Sequence, residues 1–531
     1  MRFAISTALA AALALIIVPA AQAKQLTFCN DAPAEGFDPA LYTAGATLDA
    51  SSQAFYDRLV EFAPGSTAIV PGLATSWDVS PDGKQYTFHL RDGVAFAAGI
   101  GFAPTRPLNA DDVVFSLTRQ FDPKNPYFSY AGGTWPYYSA LGLNVLVKSV
   151  VKVDAATVRI TLTRPDPSIL GDLAMDFASI LSKEYADSLI KAKTPDLLNT
   201  VPVGTGPFIF SRNDGGRVVT VANLGYWDGA PKIDGVTFLP VADPAERLAR
   251  LKSGACDVAA EPDAATLKEA QSDPDLTLAT AERADVVTLA FNTTVPPFND
   301  PRVRQALGQA IDRQAIVDAV YGGTASPAKA LLPSTMAGTN GEAAADETYD
   351  VDGAKQLLAA AGVSNLKLKL LATKAPRPYS PDLAATATLI AADFAKVGVD
   401  ATVELPDTLG EYLRQSSDKK RDGAVLIGWT SDNGDAASFL ALLLSCDAVG
   451  KSNRAQWCDA DFDKAITAAR AATDPMAEFA GLNEAQTIAA REVPLTALVH
   501  TLSIVPMRKA VSGVVADPLG RHNFAKADIS P

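Results

Sequence analysis

Histidine is scarce in this chain. There are three among 531 residues, His89, His500 and His522. None stands in an H-E-x-x-H segment or beside a cysteine pair, so no zinc site is signalled. Basic residues are also in deficit, 46 Lys and Arg against 60 Asp and Glu, for a net charge of −14. Phosphate binding needs clustered Lys and Arg, which excludes a broad nucleic-acid surface and disfavours docking on an anionic membrane. No G-x-S-x-G nucleophile elbow occurs. Gly450-Lys451-Ser452 ends like a phosphate-binding loop, but Ser445 stands where that loop needs its first glycine. Gly204-Thr205-Gly206-Pro207 falls short of the full dinucleotide pattern. Beyond residue 24 no apolar run reaches the roughly 18 residues of a membrane span. No repeat, heptad run or low-complexity tract is present. Acids are plentiful, yet no pair stands out by spacing as a hydrolase dyad.

What is present is a globular composition, 48% hydrophobic and 20% charged. At about 150 residues per domain the length allows roughly three to four domains or sub-domains. Residues 1–23 (MRFAISTALAAALALIIVPAAQA) carry a basic start, a short apolar core and an A-x-A end, the pattern of a cleaved export signal. The mature chain is expected to start at Lys24 and to be a soluble, exported protein. No cysteine lies near the cleavage point, so no lipid anchor is indicated. Four cysteines fit an oxidising compartment and allow three pairings. Cys446 and Cys458 are twelve apart in a polar segment, so a local clip is the simplest choice. That leaves Cys29 with Cys256.

Strand and helix signals alternate along the chain. Residues 25–30 read as an opening strand, and 87–96 alternate apolar and polar residues. Residues 149–153 and 157–162 read as a hairpin, and 208–211 with 217–222 as another around Asn213-Asp214-Gly215-Gly216. Helices are expected after Asn109, Asp243-Pro244 and Asp300-Pro301. Strands at 366–372, 399–405 and 423–429, with helices at 382–396 and near 409–414, predict an α/β lobe with a largely parallel sheet. Such lobes place ligand sites beyond the carboxyl ends of their strands. Arg377 follows the first of these strands (TKAPRPYSP) and Asp432 the last (WTSDNGD). The sequon Asn292-Thr293-Thr294 reads as an ordinary strand end.

Several blocks resemble the solute-binding proteins of ABC importers in the peptide, nickel and oligopeptide class, family 5. They include EGFDPALYTAGATLDASS (35–52), PGLATSWDVSPDGKQYTFHLRDGV (71–94), LNADDVVFSLTRQ (108–120), VGTGPF (203–208), DPRVRQALGQAIDRQAIVDAVYGG (300–323) and AVSGVVADPLGRHNF (510–524). Together they span the whole mature chain. The resemblance implies the two-lobed α/β periplasmic binding fold (type II, cluster C). Lobe I would comprise 24–62, 193–285 and 503–531, with an extra sub-domain at 63–192. Lobe II would be 286–502, with crossings near 283–290 and 496–505. It also implies a non-enzymatic receptor without cofactor or metal, expected as a monomer, that delivers its ligand to a membrane permease driven by a separate ATPase.

Within that class, PRPYSP around Arg377, GWTSDNGD around Asp432 and the positions of the four cysteines most resemble the dipeptide-binding members, which implies a dipeptide ligand. By the resemblance, Arg377 would hold the peptide carboxylate and Asp432 the ammonium. A dipeptide's charges lie at most about 7 Å apart. Two fixed counter-charges then select for length, because a longer peptide leaves a buried charge unpaired at a cost of several kcal/mol. Thr43, Gly45 and Thr47 lie in a loop (43–47) that in the family gives main-chain contacts. Trp429, Trp135, Tyr137 and Tyr138 are candidate pocket walls. The chain departs from the family at Ser431, where glycine is expected, at Ala436-Ala437-Ser438, and at Leu409 in place of tryptophan. These departures leave haem, 5-aminolevulinate or a nickel complex as alternative ligands, and a secreted acid-pair hydrolase as the rival class.

Overall fold

The computed structural model describes residues 24–343, 348–375 and 377–530. The export signal read at 1–23 lies outside them. Among the described residues no helix is long and apolar enough to cross a membrane.

The apolar residues sort into two groups along the chain. One large core collects residues from Leu26 to Ala260 and again from Val505 to Ala527. Two further cores hold residues between Ala284 and Val499. The chain therefore leaves the first lobe once and returns to it near its end. A single mixed sheet of 12 strands connects the two. Its order begins with Asp400–Glu404, Lys367–Leu371, Ala424–Thr430 and Asp285–Phe291 in the second lobe. It passes through the long strand Leu495–Arg508 and continues with Val258–Ala259, Gln25–Asn30, Gly235–Pro240, Arg217–Ala222 and Phe208–Asp214.

Leu495–Arg508 belongs to both lobes. Its second half pairs antiparallel with Leu276–Glu282, from Glu282 opposite Leu502 to Leu276 opposite Arg508. Its first half pairs with Asp285–Phe291, from Val287 opposite Val499 to Ala290 opposite Leu495. At the junction a side chain takes over from the ladder. The buried carboxylate of Asp285 accepts the Thr501 backbone N–H at 2.9 Å and the Thr501 hydroxyl, while Arg283 N donates to Thr501 O at 2.8 Å.

The expected elements form with small shifts. Asn109 caps Ala110–Thr118 in a reciprocal box with Asp112. Asp243 and Asp300 cap helices that begin at Pro244 and Pro301. Both hairpins form, at 147–154 with 157–162 and at 208–214 with 217–222. Gly215 and Gly216 both have positive φ at the second turn. Two expectations need correction. The strand read at 87–96 runs only from Gln85 to Leu90, because Gly93 sits in the left-handed region (φ 70°) and turns the chain. The second lobe's sheet is parallel only over its three strands at 367–371, 400–404 and 424–430. The strand at 285–291 joins it antiparallel, since it enters from the first lobe and not through a crossover helix.

Cys29 pairs with Cys256 (Cα–Cα 5.9 Å) and Cys446 with Cys458 (Cα–Cα 4.6 Å). Each bond lies within one lobe. Asn292 is fully buried and its amide donates to the carbonyls of Lys419 and Arg421 at 3.1 and 2.7 Å, so the sequon at 292–294 is structural.

Candidate functional site

A cavity of about 250 Å³ opens where the two lobes meet. The first lobe contributes Thr43, Gly45, Leu48, Phe62, Tyr137, Met175 and Asp176. The second contributes Thr430, Ser431 and Asp432. Arg283 from the crossing and Pro518 to Arg521 from the returning chain complete the wall.

Asp432 reaches the cavity because its neighbours take the turn chemistry. The strand Ala424–Thr430 ends against Asp285, and Ser431 N donates to Ala284 O at 2.7 Å. Ser431 Oγ accepts from Gly434 N at 3.0 Å and Asn433 Oδ1 from Asp435 N at 3.1 Å. Asp435 caps the helix Ala436–Leu444 through Ser438 N at 2.6 Å. Asp432 makes none of these bonds. Among the described residues its carboxylate has neither a hydrogen-bond partner nor a counter-ion, and partial burial raises its pKa. Tyr137 stands within its field: burial first, and the Asp432 charge second, push the phenol up to about 12. An anion without its cation, beside a neutral hydroxyl donor, is a receptor for a positively charged group.

The other charges of the cavity are already paired. Asp176 accepts from Gln53 Nε2 at 2.6 Å and lies 4.0 Å from Arg58. Arg521 pairs with Asp517 at 2.8 Å and its guanidinium sits 4.5 Å from the Phe62 ring centre. Arg283 pairs with Glu261. Gly520 lies in the left-handed region (φ 75°), which favours glycine, and a Cβ there would fall 2.2 Å from Arg283 Nη2, so a side chain would also displace that guanidinium.

Arg377 is placed apart from this cavity wall. It follows Lys367–Leu371 in a tight turn closed by backbone bonds with Ser380 at 2.9 and 3.0 Å. Its guanidinium rests on Tyr379, whose ring fills the space beside Gly428 of the strand carrying Asp432. Among the described residues it has no carboxylate partner. In an acidic chain, an unpaired half-buried guanidinium and an unpaired carboxylate now stand on loops at the same end of one parallel sheet.

Of the remaining expected contacts, Thr43, Gly45, Tyr137 and Ser431 line the cavity and four others do not. Thr47 turns inward, where its hydroxyl accepts from Glu35 N at 3.1 Å. Trp135 is buried over the Arg119 guanidinium at 5.1 Å. Tyr138 stacks on Phe121 in the first core. Trp429 is exposed on its strand. Sequence reasoning missed Asp176, Arg283 and Pro518–Arg521. The last lie in the block ADPLGRHNF, singled out for the resemblance but given no site role, because only the fold brings the returning chain to the cavity. The three histidines are all engaged: His89 with Asp78, His500 with the carbonyls of Asp285 and Ala330, and His522 with Asp49. Among the described residues no group of three His, Cys, Asp or Glu is arranged to hold a metal ion.

Comparison with known proteins places these features in context. Residues 68–451 match the description of bacterial extracellular solute-binding proteins, family 5. The chain is 43% identical to the dipeptide-binding protein of Escherichia coli, over 97% of each chain. It is 40% identical to haem-binding protein A of Haemophilus influenzae, over 94% of this chain and 91% of that one. Among solved structures, HbpA2 of Haemophilus parasuis is similar with a TM-score of 0.90 and 37% identity, over 96% of this chain and all of the other.

Proposed function

The chain belongs to the bacterial extracellular solute-binding proteins of family 5, and from that premise we propose that it is the periplasmic substrate-binding component of an ABC importer that takes dipeptides between its lobes. The observation that carries the ligand class is Asp432, a carboxylate aimed into the interlobe cavity with no cation of its own. A peptide ammonium supplies that cation, with Tyr137 beside it. Arg377 takes the peptide carboxylate bidentately, a geometry lysine reproduces poorly. The 43% identity to a dipeptide-binding relative, over nearly the whole of both chains, supports the ligand class.

The rest of the reading follows the same premise. The chain works as a monomer and hands its ligand to a membrane permease with a separate ATPase. Lobe I comprises 24–62, 193–285 and 503–531, the extra sub-domain 63–192 and lobe II 286–502. The distribution of the cores supports the division between the two lobes, the extra sub-domain sharing the core of lobe I. The reading is of a receptor and not a hydrolase: a dipeptide held with excess protein should stay intact, and release of free amino acids would overturn it.

Titration calorimetry on ligand-stripped protein tests the reading. Ala-Ala should bind, free alanine and tetra-alanine little. Equal affinity for all three would remove the two-ended selection by length. The likeness to a haem-binding relative supports one rival, and a visible absorbance band on haem addition, with no heat from Ala-Ala, would establish it.

A further inference from the structure

One hydrogen bond crosses the lobes directly behind the cavity. Asn433 Nδ2 donates to Asp172 Oδ1 at 2.8 Å, between residues 261 apart in the chain. Asp172 lies in the helix Ile169–Ala174, which runs straight into the cavity residues Met175 and Asp176. Asn433 directly follows the cavity residue Asp432. The pair thus joins the two opposed walls. Backbone contacts frame it. A Cβ on Gly171 would stand 2.6 Å from the Asn433 carbonyl oxygen, and one on Gly434 would stand 2.5 Å from Thr67 Cβ. Thr67 in turn bonds the second lobe twice, donating from its N–H to Thr335 O at 3.3 Å and accepting Ala337 N at its hydroxyl at 3.0 Å.

Asp172 is 3% exposed, and carboxylates surround it. Asp166 precedes it on the first lobe, while Asp432 and Asp435 face it from the second. Burial first, and these charges after it, push Asp172 up to about 8, against the lowering bond from Asn433. Beyond Asp435 stands Glu478, pushed up to about 7 by burial and Asp435. The nearby cations serve others: Arg164 pairs with Asp166, and Arg470 lies 3.8 Å from Asp166 and near Asp435. Among the described residues none pairs with Asp172.

We propose that Asp172 is a positioning residue: through Asn433 it clasps the lobes and sets where Asp432 stands, so that a ligand ammonium and a proton on Asp172 answer to the same seam of carboxylates. With the seam unneutralised, ionising Asp172 sets like charges against each other across the lobes and loosens the clasp. An ammonium at Asp432 restores positive charge beside Asp172 and eases its ionisation. By linkage, amine binding then expels a proton. This second consequence rests on the peptide reading of Asp432, and the clasp itself does not.

Two measurements test it. Small-angle X-ray scattering of the ligand-free chain reads lobe separation at pH 6 and pH 9. The native chain should widen towards pH 9, Asp172→Asn should stay compact at both, and Asn433→Ala should be wide at both. A pH response in Asp172→Asn equal to the native one overturns the clasp. Calorimetry with Ala-Ala at pH 7, in two buffers of different ionisation heat, counts protons. The native chain should release more protons per ligand than Asp172→Asn, and Asn433→Ala should bind about 3- to 10-fold more weakly, the loss of one hydrogen bond. Equal proton counts overturn the coupling. If the native chain takes no Ala-Ala, the peptide reading falls and the scattering result decides the clasp alone.

Discussion

Arg377 and Tyr379 hold each other across one tight turn: Nε of Arg377 donates to the Tyr379 hydroxyl at 3.3 Å, and the guanidinium carbon stands 5.7 Å from the ring centre. The ring is itself wedged beside Gly428. The cation is therefore aimed by an aromatic platform and not by a counter-ion, which leaves its other nitrogens open to a ligand. Arg377→Ala should weaken Ala-Ala binding at least tenfold, about 1.4 kcal/mol. Arg377→Lys should recover little of it. Tyr379→Phe keeps the platform and loses the bond, for a loss of about 2- to 10-fold. Calorimetry on the three variants checks the order, and native affinity in Arg377→Ala would show the carboxylate end to be misplaced.

The ammonium end carries a pH signature. Burial holds the Asp432 pKa above the ordinary carboxylate value. Ligand pairing needs the ionised form, so affinity should fall as the pH drops through that pKa. Asp432→Asn should bind at least tenfold more weakly at pH 7, about 1.4 kcal/mol, and should lose this acid limb. Titrations between pH 4.5 and 7 compare the two chains. An acid limb kept by Asp432→Asn would assign it to another group.

Stability near the site depends on a different pair. Arg119 and Asp38 form two parallel bonds of 2.6 and 2.7 Å, and both side chains are fully buried. Asp38→Asn leaves a buried guanidinium without its anion, which costs about 3–5 kcal/mol. Urea unfolding should show this as a lower midpoint with the slope unchanged. A shift worth well under 1 kcal/mol would mean that solvent reaches Arg119.

The returning chain is tied down by His522, whose ring meets Asp49 at 2.7 Å and whose backbone N–H donates to the same carboxylate at 2.8 Å. Burial opposes the charged ring, but the Asp49 charge and its hydrogen bond together outweigh that cost and raise the His522 pKa. The folded state therefore binds the proton more tightly than the unfolded one. That stabilisation is complete below about pH 6.5, the free imidazole value, and is lost as the pH rises through the raised pKa. Asp49, also raised, drifts in the same direction. Denaturant titrations from pH 5.5 to 9 should show the native chain losing more stability than His522→Gln. Parallel curves would argue against the pair.

Much of this was legible in the residues. Capping asparagine and aspartates marked the helix starts, and the glycine pair at 215–216 marked a hairpin, because those signals are local. Arg377 and Asp432 were legible as loop residues after parallel strands. The failures are non-local. Trp135 looked like a pocket wall, but it is spent on a buried guanidinium 16 positions away in sequence. Thr47 faces inward because its hydroxyl serves Glu35. Arg283, Asp176 and Gly520 gave no local sign, since three distant segments must meet before they share a cavity. The turn around Asp432 was ambiguous for another reason: Ser431, Asp432, Asn433 and Asp435 could each have been the turn former, and only the hydrogen bonds show which one is spare.

The shared strand Leu495–Arg508 has a mechanical corollary. The ladder along it is interrupted from Arg283 to Val286, between the pairing of Glu282 with Leu502 and that of Val287 with Val499. Any reorientation of one half against the other must be absorbed by backbone torsions at those residues and at His500 and Thr501 opposite. Such a joint leaves little room for sliding. A change in the cleft between the halves would then be written outward as a single angle.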